Sequence, residues 1–144
     1  MRLLVMILLS ILPMWLHAFP TSGEYRSHRS ILFFAPQVDQ HVEQFMADEL
    51  RHRCQIDERE VVILVVAGEQ SINPSRALSR QGIRYLREKY QIEDRRHVAV
   101  LVGKDGYEKH RWGAFTNWQE VFTIIDNMPM RQQEIAHASS ACFT

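Results

Sequence analysis

Two cysteines, seven histidines and a group of basic residues around the stretch "GKDG" (Gly103–Gly106) are the side chains able to do chemistry in this sequence. Thiol chemistry needs a thiolate, and a helix N-terminus or a neighbouring cation stabilises one. Cys54 and Cys142 form no CxxC pair and no metal-ligand spacing. The histidines give no HxH, no HExxH and no Cys/His cluster, so the spacing calls for no metal and no other cofactor. His41 and His52 fall at the two ends of an expected helix, where a solvated or dipole-facing ring is the plain reading. No GxSxG elbow is present to place a serine nucleophile, and no catalytic residue is assigned.

The Gly103-Lys104 pair after an apolar run raises the question of a phosphate-binding loop. A Walker loop needs a glycine five residues earlier and Ser or Thr after the lysine. Val98 and Asp105 stand at those positions, so the motif fails. Asp105-Gly106 instead reads as a structural hairpin turn, because Gly tolerates positive φ and Asp bonds the local backbone. The strand after it carries Tyr107, Lys109 and Arg111 on one side if its pleat is regular. Lys104, Lys109 and Arg111 are the candidate contacts for an anionic or acidic partner. The blander reading is an edge strand charged against aggregation.

The elements that must hold these residues follow from the pattern. Residues 1–18 start with Arg2, run apolar to Leu16 and reach the small Ala18, the layout of a secretory signal peptide. The run is shorter than the about 20 residues of a spanning helix and contains Pro13, so no stable membrane anchor is expected after cleavage. Residues 19–28 form a lead, 29–134 a domain and 135–144 a flexible tail. The 17 basic residues balance 17 acidic ones, which gives no electrostatic footprint for nucleic acid. An oxidising compartment would let Cys54 and Cys142 pair, but a loose tail does not bring Cα atoms within about 7 Å, so the pairing stays open.

"SILFFAP" (Ser30–Pro36), "VVILVVAG" (Val61–Gly68) and "HVAVLVG" (His97–Gly103) read as buried strands, and "YEKHRW" (Tyr107–Trp112) as an exposed fourth. Val38, Val42, Phe45, Met46 and Leu50 mark a first amphipathic helix. Asn73–Tyr90 reads as a second, started by Pro74 and Ser75 and weakened at Gly82. Thr116–Met128 reads as a third, capped by Thr116 with Gln119 or Asn117 with Glu120, and stopped by Pro129. In "MPMR", Met128 and Met130 are expected to fill core gaps, and Arg131 to pair with Glu134. The order β-α-β-α-β-β-α describes an α/β thioredoxin-like sandwich, a central mixed sheet flanked by helices.

"RSILFFAP" (Arg29–Pro36), "LVGKDGYEKHRW" (Leu101–Trp112) and "FTIIDNMPMRQQE" (Phe122–Glu134) resemble a thioredoxin-like family of unknown function. That family is found in bacterial secreted proteins and as the C-terminal domain of vertebrate sushi-repeat-containing extracellular proteins. The resemblance runs from about Arg29 to Glu134. It implies the fold and a place outside the cytoplasm, periplasmic or secreted, and no settled activity. Thioredoxin-like oxidoreductases hold their nucleophile at the start of the first helix, where this chain has Gln37, Val38, Asp39, Gln40 and His41. They also hold a cis-proline before the third strand, where this chain has "EDRRHV" (Glu93–Val98). The expected function is therefore a non-catalytic binding or interaction domain for an extracytoplasmic protein or acidic ligand. The alternative is a divergent thiol oxidoreductase or peroxidase-like enzyme, or another hydrolase.

Overall fold

The three central strands form because their residues are largely apolar on both faces. The computed structural model describes residues 26–73, 77–138, 140 and 142. Strand β1 (Arg29–Ala35) is buried along its whole length. It lies between β2 (Val61–Ala67), which it pairs in parallel from Arg29↔Val61 to Ala35↔Ala67, and β4 (Val98–Val102), which runs antiparallel to it. β5 (Glu108–Trp112) extends the sheet beyond β4, and the two-residue β3 (Gln70–Ser71) hooks back on β2, giving the order β3-β2-β1-β4-β5. With β1 and β2 parallel and β4 and β5 antiparallel, this is the thioredoxin-like sandwich expected from the element order. The short β3 is new. A two-residue strand has no period to read.

Alternation along β1 divides the core. Ile31 and Phe33 face one layer with α1 (Gln40–Arg51), α2 (Arg53–Glu58) and α4 (Trp118–Asp126). There Phe33 stacks on Phe45 with centroids 4.3 Å apart. Leu32 and Phe34 face the other layer with Ile83 and Tyr90, from α3 (Arg80–Lys89) and its C-cap.

Three boundaries differ from the sequence expectation. The first helix breaks at His52, so Cys54 lies at the start of α2 rather than near a helix end. The second helix begins late. Asn73 spends its side-chain oxygen on the Val65 amide at 2.5 Å, and Ser79 caps α3 by accepting from the Gly82 amide at 3.1 Å. Gly82 therefore sits in the first turn and splits nothing, while Pro74 and Ser75 lie outside the described residues, as does the expected signal at 1–18. Pro129 ends α4 and also opens α5 (Pro129–His137) as its first residue, a position where a missing N–H costs nothing. For α4 the structure selects Asn117, whose side chain accepts from the Glu120 amide.

α5 passes the expected Glu134 boundary, and Cys142 is bonded to Cys54 at a Cα–Cα distance of 5.8 Å. The pairing that the sequence left open is thus a disulfide. Among the described residues no helix is long and apolar enough to cross a membrane.

Candidate functional site

The chain leaves β1 at Ala35 and enters α1 through Asp39, whose extended backbone (φ −145°) makes it an N-cap. Asp39 Oδ1 accepts from the amides of His41 at 3.0 Å and Val42 at 3.2 Å. Its Oδ2 lies 2.8 Å from His97 Nε2. His97 directly precedes β4, and the pairing Phe34↔Val98 sets the start of β4 beside the end of β1. Sheet register thus joins two residues 58 positions apart. Burial works against the Asp39 charge, but the Val42 amide, His97 and the His41 amide outweigh it and hold the carboxyl below its ordinary value. An ionised carboxylate only accepts, so Nε2 of His97 carries the proton in this bond.

The His41 ring meets His97 edge-on at 4.8 Å, and Phe115 meets His41 edge-on at 4.9 Å. Phe115, in the loop between β5 and α4, is 78% exposed, and Val38 is also exposed. Beside them opens a cleft of about 470 Å³ lined by His41, Gln44, Asp48, Phe115 and Thr116. Oriented imidazoles, an anchored carboxylate and a protruding aromatic ring suit recognition by hydrogen bonds and stacking. No thiol is near: both cysteines are in the disulfide. Among the described residues no three His, Cys, Asp or Glu side chains gather as a metal-binding group.

Of the basic residues singled out in the sequence, Lys104 and Lys109 lie toward the opposite end of β1 and Arg111 lies level with its middle, through Val100 and Leu32; all three have partners within the chain. Lys104 is ion-paired with Glu60 and, at 2.7 Å, with Glu134. Burial opposes its charge, yet the two carboxylates raise its pKa above the ordinary value. Lys109 reaches Asp105 at 2.5 Å, and Arg111 reaches Glu108 at 2.6 Å and the Tyr90 carbonyl at 2.5 Å. Lys109 and Arg111 do not share a side. The β4–β5 register shifts between Leu101 and Val102, and that bulge breaks the alternation. Lys109 lines a cleft of about 310 Å³ with Lys104, Asp105, Ile124, Met128 and Met130, whereas Arg111 turns to Tyr90 in the other layer. Gly106 has φ +78° in the turn, and Asp105 accepts from the Tyr107 amide at 3.1 Å.

Lys104 belongs to a larger ionic network at this end. Arg29, 1% exposed, donates to both Glu134 oxygens at 3.1 Å and to the Arg59 carbonyl at 2.9 Å. Arg59 and Arg131 share Asp126, at 2.6 and 3.2 Å, and Arg131 also approaches Glu134 at 3.5 Å, the pairing expected from their spacing.

Sequence reading missed the His41–His97–Asp39 cluster because its members are unremarkable singly. The available signal was the Asp two residues before His41, an N-cap that fixes where a helix starts. Among solved structures the chain is similar to the solution structure of a putative thioredoxin from Neisseria meningitidis. That likeness has 16% identity over 78% of this chain and 85% of the other, with a TM-score of 0.44. No curated protein matches the chain. Residues 21–134 match the family described as a domain of unknown function, DUF4174, and the chain belongs to that family.

Proposed function

We propose that the protein is an exported, non-catalytic binding domain that recognises its partner around Asp39, His41, His97 and Phe115. The observation that carries this reading is the start of α1. A thioredoxin-fold enzyme keeps a thiolate there against the helix dipole. Here the Asp39 carboxylate already takes the first free amides, and the surface around it is aromatic and imidazole-bearing. The leader-like residues 1–18 and the disulfide support export, since disulfides persist in oxidising compartments. The resemblance to C-terminal domains of vertebrate extracellular proteins supports the same placement. The Lys104 and Lys109 cleft takes second place as an acidic-ligand surface, because a ligand there must compete with Glu60, Glu134 and Asp105.

The test is capture of a partner from periplasm or medium by the wild type and by Phe115→Ser and His97→Ala. Loss of capture in both is the expected result, with melting unchanged in Phe115→Ser and the fold retained in His97→Ala. Capture lost instead in Lys109→Ala moves the site to the opposite end. The thiol-enzyme reading keeps one observation, the exposure of Cys54 in the disulfide. Catalysed disulfide reduction that disappears in Cys54→Ser would establish it over the binding reading.

A further inference from the structure

A third cleft, of about 360 Å³, lies on the α3 layer between that helix and the loops leaving β1 and β2. Its walls are Arg80, Arg84 and Arg87 of α3 with Glu69, Asp94 and the Gly68 turn. The three arginines stand at steps of four and three, so one helix face carries them. Arg87 is held rigidly: its guanidinium lies 5.2 Å over the Phe34 ring, and Nη2 donates to the Gly68 carbonyl at 3.0 Å. Its Nη1 is buried without a hydrogen-bond partner, although Asp94 Oδ1 is 3.2 Å away. Asp94 itself is 86% exposed. Arg80 faces Glu69 only at 3.8 Å, with both side chains in solvent, and Arg84 forms no ion pair among the described residues. A buried guanidinium edge that faces only an exposed carboxylate, beside the Arg84 guanidinium that forms no ion pair among the described residues, fits the planar fork that Arg offers to tetrahedral oxyanions.

We propose that this cleft binds hydrogenphosphate, with Arg84 and Arg87 donating to its oxygens and Glu69 or Asp94 accepting from its P–OH. The carboxylates decide between oxyanions of equal shape. A phosphate that retains a proton can donate to them, whereas sulfate, fully deprotonated near neutral pH, meets only repulsion. The site is separate from the Asp39–His97 cluster and does not depend on the function proposed for it.

The experiment is titration of the purified protein with inorganic phosphate, sulfate and chloride at matched ionic strength, followed by calorimetry and by the amide resonances of Gly68 and Arg84. Saturable phosphate binding is expected, with sulfate weaker. Arg84→Gln should weaken phosphate about tenfold, the loss of one charge-assisted hydrogen bond, without changing melting. Asp94→Asn should narrow the preference over sulfate. Arg87→Gln also removes packing on Phe34, so the Arg84 and Asp94 variants decide the matter if it fails to fold. A phosphate response matched by chloride, or unaltered in Arg84→Gln, overturns the site. Sulfate bound as tightly as phosphate by the wild type overturns the assignment to hydrogenphosphate.

Discussion

At the scale of single residues, Gly106 and Asp39 each hold a conformation that few alternatives support. Gly106 has φ +78°, a region that costs a residue with a Cβ about 1–2 kcal/mol. Gly106→Val is expected to lower the melting temperature, because a β-branched side chain fits that region worst. An unchanged melting curve would show that the turn relaxes at no cost. Asp39 combines a helix cap with a hydrogen bond to His97. Asp39→Ala should cost about 1–2 kcal/mol, the upper part of the range for losing a cap, measured by chemical denaturation. The acid limb carries a second signature. The folded carboxyl titrates below its ordinary 3.8, so its stabilisation is complete above that pH and is lost as pH falls toward the folded value. Asp39→Asn should accordingly be less sensitive to acid below about pH 4 than the wild type.

At the scale of elements, α5 is held by charge rather than by an apolar face. Its one buried residue is Arg131, and Glu134 joins it to Arg29 and Lys104. Burial disfavours the Glu134 charge, but Arg29 and Lys104 more than restore it and lower its pKa. Glu134→Gln leaves Arg29 buried with only a neutral acceptor, so a loss of about 3 kcal/mol is expected, the low end for breaking a buried pair. Lys109→Ala with Arg111→Ala breaks pairs near the surface and should cost less than about 1 kcal/mol. Comparing the two by denaturant melts separates the network from the edge pairs. Equal losses would mean that α5 docks by other means. The network has limits at both ends of the pH scale. The Glu134 contribution fades as pH falls below 4.5, and the Lys104 contribution fades as pH rises past 10.5.

For the molecule as a whole, the Cys54–Cys142 bond closes a loop spanning 88 positions. The chain-entropy treatment gives such a loop up to about 4–5 kcal/mol. The double change Cys54→Ser with Cys142→Ser is expected to keep the far-ultraviolet circular dichroism and to lower the melting temperature clearly. Both layers of the core close without the bond, which ties α2 to the C-terminal residues beyond α5. Melting that is the same with and without the bond would place its effect elsewhere than in folding stability.

Much of this fold is legible in the sequence because its determinants are local. Strands buried on both faces must be apolar throughout, as in "VVILVVAG", and a helix with one buried face must repeat at helical spacing, as Trp118, Val121, Phe122 and Ile125 do. The missing thiol at the start of α1 is likewise a statement about residue types at known positions. Register, bulges and long-range pairs are different. Nothing adjacent to His97 names Asp39 as its partner, and no spacing rule joins Arg29 to Glu134 across 105 positions. The sequence supplied the charges of Lys104, Lys109 and Arg111 but not the carboxylates that meet them, since an ion pair depends on distance in space and distance in space is set by strand order. The period of the chain determined which elements form and which faces they bury. The packing of β1 between β2 and β4 alone decided which polar side chains those faces bring together.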